Sequence, residues 1–259
     1  SAQVPASLPP LPDAPVVLDL CAAPGGKASQ LAARMRGGVL FANEPVPERA
    51  SVLAGNLERM GVSNAVVTNL PPERLCPLLK GLCDVVLVDA PCAGEGMFRR
   101  EPEAVRAWSP AVVSACAKRQ ARILALACMA LKAGGQLVYS TCSFSEEENE
   151  QNVRKLLLTE PSLQLVLERR LYPQTCCGEG QYMALLQADG TPRPTPLRLP
   201  AAKPDPLAEA FLCESLAKDA LPSGVPCTLA DGRALLLPPL PCAIGELKLV
   251  RAGLLLGET

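Results

Sequence analysis

The sequence predicts a doubly wound α/β fold with a mostly parallel sheet. Three observations carry this reading: short apolar runs, glycine-rich turns directly after them, and amphipathic helical stretches in between. Residues 1–15, "SAQVPASLPPLPDAP", are proline-rich and expected to be extended. The run "VVLDL" reads as a strand, and "CAAPGGKASQLAARM" turns through glycines into an alanine-rich helix. Next come strand "VLFANE", a helix from Pro47 to Met60 stopped by Gly61, strand "AVVT" and strand "DVVLVDA". Ser109 is an expected N-cap with Pro110 at the first helical position, for a helix reaching Lys132 before Gly134 and Gly135. Strand "QLVYST" follows, and Ser145 with Glu148 has the spacing of a capping box for a helix through Leu158. "LQLVLERR" and "QYMALLQAD" have no long helix between them, which suits an antiparallel sheet edge. Residues 1–190 are therefore read as the main domain and 191–206 as a proline-rich linker. Residues 207–259 are read as a small C-terminal α+β segment.

Composition removes several classes of chemistry. The chain has 259 residues, 49% hydrophobic and 20% charged, which is globular in character. The apolar run Ile123 to Leu131 is too short to span a bilayer, and no charged-then-apolar leader opens the chain, so a cytoplasmic protein without a membrane partner is expected. Twelve cysteines without a C-x-x-C pair fit reduced thiols. The absence of histidine excludes Ser-His-Asp and Cys-His catalysis and the His-containing zinc sites, and no metal is expected. Net charge is −1, but residues 99–122 hold six basic and two acidic side chains, a local balance of +4 beside "DAPCAGEG". A basic patch and a solvated amphipathic helix are both compatible with that run.

In an open parallel sheet, ligands bind outside the carboxyl ends of the strands. "DLCAAPGGK", "DAPCAGEG" and "YSTCS" fall at such ends and are expected to converge. The turn "AAPGGK" aims backbone N–H groups and a helix N-terminus at a ligand, with Gly25 and Gly26 permitting close approach. It lacks both the dinucleotide and the triphosphate glycine patterns. Glu44, ending the second strand, can accept both hydroxyls of a ribose, so a nucleoside-bearing cofactor is expected. A tight turn with a surface glutamate is the plainer alternative. Most of the cysteines, Cys21, Cys116 and Cys128 among them, read as buried small apolar side chains. Cys92 and Cys142 differ because each follows a strand end in a loop of small or polar neighbours. A free thiol with pKa near ~8.5 is mostly protonated at neutral pH, so a nucleophile here needs activation. The helix expected after Ser145 is one source for Cys142. A nucleoside cofactor, a thiol and a nearby acid, Asp89, together suit methylation at C5 of a pyrimidine. A thiolate adding to C6 makes C5 nucleophilic, and an acid at the base edge stabilises the charge that develops.

"DLCAAPGGK", "ANE", "DVVLVDAPCAGEGMFRREPEAVRAWSP" and "GGQLVYSTCSFSEEENE" resemble the RNA (cytosine-5)-methyltransferases of the Sun/Nop family, most of all its bacterial 16S rRNA branch of RsmF (YebU) type. The resemblance runs from about Val16 to Val153. It implies a Rossmann-like class I methyltransferase with a seven-stranded, mostly parallel sheet. It further implies S-adenosylmethionine lined by Cys21, Ala22, Ala23, Pro24, Gly25, Gly26 and Lys27, with Glu44 on the ribose and Asp89 beside cofactor and base. Cys142 would be the nucleophile and Cys92 would assist product release. Relatives carry an acid after the third strand where Leu70 and Pro71 stand here, and an N-terminal RNA-binding portion and most of a PUA-like tail are expected outside this chain. Phe98, Arg99, Arg100 and Trp108 are expected RNA contacts, Trp108 alternatively stapling the helix at Pro110. A monomer is expected, with RNA as its partner, 16S rRNA ahead of tRNA. A non-catalytic RNA-binding assembly factor is the main alternative.

Overall fold

The computed structural model describes residues 2–192, 204–215, 224–228, 232–241 and 247–258. A short helix α1 (Val4–Ser7) opens the chain where an extended segment was expected. Arg34 holds it there, donating to the carbonyls of Ala6 and Pro9. Then come β1 (Val16–Asp19), α2 (Gly26–Arg34), β2 (Val39–Asn43), α3 (Pro47–Arg59) and β3 (Ala65–Thr68). Helix α4 (Pro72–Leu78) links β3 to β4 (Cys83–Asp89), and α5 (Pro102–Ala107) precedes α6 (Pro110–Ala130). The sequence reading assigned neither α4 nor α5, which are short and open on proline. Ser109 caps α6 as expected, its hydroxyl accepting from the Val112 N–H.

Strand β5 (Leu131–Thr141) begins earlier than the sequence indicated. Gly134 and Gly135 lie inside it rather than after a helix. Between Cys83↔Leu131 and Val85↔Gln136 the register with β4 shifts, and Gly134 takes φ 68° there. A side chain at Gly135 would sit 2.9 Å from the Cys83 carbonyl. Helix α7 (Glu150–Thr159), β6 (Leu163–Leu171) and β7 (Gln181–Ala188) follow, the last two antiparallel as expected. The expected capping box is absent. Asn149 stands at the N-cap of α7 and makes no side-chain cap, while Glu148 turns inward.

Among the described residues the large sheet has eight strands, not seven. Its order is β10-β3-β2-β1-β4-β5-β7-β6, with β10 (Leu249–Ala252) supplied by the C-terminal segment and antiparallel to β3. Gly253, at φ 59°, makes the crossover possible, because a Cβ there would meet the Leu236 carbonyl. The remaining C-terminal elements are α8 (Pro206–Ser215), β8 (Val225–Thr228), β9 (Arg233–Leu237) and β11 (Leu254–Glu258), and the three strands form a small antiparallel sheet. Most of the expected linker, residues 193–203, lies outside the described residues.

Both faces of the central strands are covered, which is why β2 and β3 are buried along their whole length and read as continuous apolar runs. On one face pack Val17, Leu31, Leu40, Leu53 and Val85. On the other, Leu18, Phe41, Val86 and Tyr139 share a core with Leu235, Leu237 and Ala252 from the C-terminal segment. Each fully buried leucine contributes roughly 1.5–3 kcal/mol relative to exposure, enough to hold the parallel strands in one register. The order reverses between β1 and β4, so a crevice opens at their carboxyl ends. No helix among the described residues is long and apolar enough to cross a membrane.

Candidate active site

Four parallel neighbours, β2, β1, β4 and β5, end on the same side, and they deliver Glu44, Asp19, Asp89 and Cys142 to the crevice. The three stretches read as convergent do converge. A cleft of about 770 Å³ is lined by Cys21, Ala23, Glu44, Asp89, Cys92 and Cys142 among others. A hollow of about 170 Å³ adjoins it, reaching Asp19, Ala22, Pro24, Gly26 and Lys27.

The loop Cys21–Lys27 is shaped by two different glycines. Gly25, at φ 112°, occupies the left-handed region as the N-cap of α2. At Gly26 a Cβ would meet no atom within 4 Å, so the space beside it is open toward the hollow. Asn56 secures the turn by donating to the Pro24 carbonyl at 2.8 Å. Glu44 is buried; its Oε1 accepts from the Val46 N–H at 3.0 Å and its Oε2 faces Arg49 at 3.3 Å. Just before Leu70 and Pro71, where relatives were expected to carry an acid, the buried Asn69 donates to the Glu44 carbonyl and accepts from Lys248 of the C-terminal segment.

Asp19 is the residue the sequence reading passed over, although it opens the quoted motif. Its side chain is fully buried at the wall of the hollow. Neither oxygen reaches a partner with good hydrogen-bond geometry among the described residues, the Cys21 backbone giving only partial support. Burial, with Asp89 close by, pushes its carboxyl up to about 7 against the pull of Lys27. An orphaned buried carboxylate beside an open cradle fits a cationic group of a bound ligand.

Asp89 is firmly held: Lys27 Nζ lies 2.6 Å from Oδ2 and the Ser140 hydroxyl donates to Oδ1 at 2.6 Å. The two thiols meet, with Cys92 Sγ 3.2 Å from Cys142 Sγ. The shared hydrogen bond favours the proton on Cys92. Donation from the Cys92 thiol lowers the Cys142 thiol, assisted by Lys27, against burial and Asp89. Cys92 is pushed well up by giving that hydrogen bond, by burial and by Glu148. Its partner thiol, rather than a helix N-terminus, therefore makes Cys142 the more acidic thiol, since α7 starts only at Glu150.

Both thiol loops are braced by glycine contacts that explain two quoted motifs. The Gly96 N–H donates to the Cys142 carbonyl at 2.7 Å, and the Gly180 N–H to the Gly96 carbonyl at 3.2 Å. A Cβ on Gly96 would sit 2.6 Å from the Gly180 oxygen and 2.7 Å from that of Cys142. Of the expected RNA contacts, Arg99 and Arg100 both pair with Glu179, and Phe98 is half-buried beside them in sequence. The Trp108 indole donates to Glu95 Oε1 at 2.9 Å, and Glu95 Oε2 accepts from the Phe144 N–H. Trp108 thus ties the α5–α6 junction to the Cys142 loop.

A family profile described as 16S rRNA methyltransferase RsmB/F matches residues 6–187. The ribosomal RNA small subunit methyltransferase F of Vibrio cholerae serotype O1 (strain M66-2) is 35% identical over 270 residues, covering 93% of this chain and 57% of that protein. Its namesake from Escherichia coli O157:H7 (strain EC4115 / EHEC) is 43% identical over 135 residues, 52% of this chain and 28% of that one. This chain spans little more than half the length of the Vibrio relative. Among solved structures, NSun6 from Pyrococcus horikoshii with SFG is similar at TM-score 0.64 and 29% identity, over 72% of this chain and 51% of that one. A methyltransferase homolog protein from Pyrococcus horikoshii matches at TM-score 0.59 and 31% identity, over 71% and 64%. With a profile spanning most of the chain and a relative aligned along nearly all of it, the chain belongs to the RsmB/F family of 16S rRNA methyltransferases.

Proposed function

We propose that this chain is the catalytic part of an S-adenosylmethionine-dependent methyltransferase acting on C5 of cytosine in small-subunit ribosomal RNA. The observation that carries the reading is the Cys92–Cys142 contact at 3.2 Å, at the lip of a cleft that also holds Asp89. The names of the relatives support ribosomal RNA as substrate, and SFG in the NSun6 structure, an S-adenosylmethionine analogue, supports the cofactor.

The residues fit that cofactor. Asp19 offers its orphaned carboxylate to a cationic group, the Gly26 cradle leaves room, and Glu44 stands where a ribose hydroxyl pair is accepted. When bound, S-adenosylmethionine supplies an electrophilic methyl group. The Cys142 thiolate adds to C6 of the flipped cytosine, forming an S–C bond and moving the electron pair of the C5–C6 bond to C5. Asp89, fixed by Lys27 and Ser140, meets the polar edge of the base and steadies the charge there. After C5 has been methylated, its proton leaves to water and the C5–C6 double bond reforms. The S–C bond electrons return to Cys142, and Cys92 hands its proton to that sulfur as it departs.

Incubating the chain with methyl-labelled S-adenosylmethionine and unmodified 16S RNA tests this. Label on cytosine C5, lost in Cys142→Ala, is expected. RNA binding by folded protein without any transfer would contradict the reading and favour an assembly factor, and transfer confined to tRNA would move the substrate assignment.

A further inference from the structure

Glu148 is fully buried, yet among the described residues none of its side-chain partners is a cation. The Ala93 N–H points between its oxygens at 3.2 and 3.1 Å. Gln120 Nε2 donates to Oε2 at 2.6 Å, and the Ser143 hydroxyl to Oε1 at 2.8 Å. Every one of these is a donor, which is the company an ionised carboxylate requires, and together they oppose the burial that raises its carboxyl. Ala93 and Ser143 are the residues immediately after the two thiols. Gln120 adds a second tie to the Cys92 loop, donating to the Pro91 carbonyl at 2.9 Å, and is itself held by Asn152 at 3.0 Å. The network therefore grips each thiol loop by the residue next to its sulfur.

We propose that Glu148 is a positioning residue of the two-thiol site: its carboxylate clamps the Cys92 loop against the Cys142 loop, and its charge keeps the shared proton on Cys92. A structural brace alone would not call for a charge. An uncompensated carboxylate in the interior is costly, and an amide or hydroxyl can bridge two loops without that cost. What the charge adds is a field that disfavours a thiolate on Cys92, and Glu148 is among the causes that push Cys92 up. The thiolate is thereby left on Cys142, beside Lys27.

The proposal rests on Cys142 being the resting thiolate, and thiol labelling separates the two claims without RNA or cofactor. The folded chain is treated with limiting iodoacetamide between pH 6 and 9, and label at Cys92 and Cys142 is compared by mass spectrometry. In the unaltered chain, label is expected mainly on Cys142. In Glu148→Gln the Cys142-to-Cys92 ratio is expected to fall about tenfold, the equivalent of one unit of relative acidity. Gln120→Ala, which removes a brace and keeps the charge, is expected to hold the ratio within about twofold. Predominant labelling of Cys92 in the unaltered chain sinks the thiolate assignment itself. An unchanged ratio in folded Glu148→Gln, or an equal fall in Gln120→Ala, overturns the role of Glu148 alone. Should Glu148→Gln lose its near-ultraviolet dichroism, Glu148→Asp carries the test: a retained ratio with slowed methyl transfer supports the clamp, and a ratio near one refutes it.

Discussion

The two halves of the cleft are built on opposite principles. On the proposed cofactor side, Asp19 keeps carboxylate oxygens unmet among the described residues, and the loop beside Gly26 faces open space. On the thiol side, Glu148, Ser143, Gln120 and Asn149 are knitted into one hydrogen-bonded network around two touching sulfurs. The first half is completed by what binds to it, whereas the second is organised before anything binds. A diffusible ligand can bring its own partners, but a nucleophile must be aimed in advance, because displacement by about 1 Å can slow a reaction a hundredfold.

The largest expected effect breaks the thiol side. Cys142→Ala should lower methyl transfer by about a thousandfold or more while leaving the melting temperature and cofactor affinity near those of the unaltered chain. Cys92→Ala should slow attack, which loses the donated hydrogen bond, and stall release, seen as a protein–RNA adduct on a denaturing gel that Cys142→Ala never forms.

The cofactor side is sharpened by pH. Asp19 ionises near 3.8 when unfolded and about 7 when folded, so the stability it contributes is present below pH 4 and lost as pH rises to about 7. A ligand cation binds the ionised form. Affinity for S-adenosylmethionine, measured by calorimetry, should therefore climb by up to about tenfold per pH unit below 7 and level off above it. Asp19→Asn should abolish that slope, and above pH 7 it should raise the melting temperature of the unliganded chain.

Smaller effects probe the brace between the halves. Gly96→Ala forces a Cβ against two carbonyl oxygens, so the Cys142 loop must shift. A loss of about 1–3 kcal/mol in stability and a larger proportional loss in turnover than in RNA affinity are expected, by denaturation and single-turnover kinetics. Trp108→Phe removes the hydrogen bond to Glu95 and trims a partly exposed ring, and should cost about 1 kcal/mol.

Sequence was most informative where physics is local. The strand runs, the Gly25 turn and the Ser109 cap follow from backbone chemistry within a few residues, and each is found in place. Glu148 misled because Ser-x-x-Glu spacing is the same whether the glutamate turns back to cap a helix or inward to bind another loop. Its partners Ala93 and Gln120 are distant in sequence. The same non-locality hid β10, whose pairing with β3 joins the chain's last described segment to its early part. Asp19 was passed over for a different reason: an aspartate ending a buried strand is conspicuous only once its lack of partners is visible.

Cys142, and not Cys92, is proposed to attack the base. RNA carrying 5-fluorocytidine tests it most directly, because a fluorine at C5 cannot leave as a proton does and the covalent adduct persists. Peptide mass spectrometry of the trapped complex is expected to find the nucleotide on Cys142. A nucleotide on Cys92 would make Cys92 the attacking thiol and overturn this assignment.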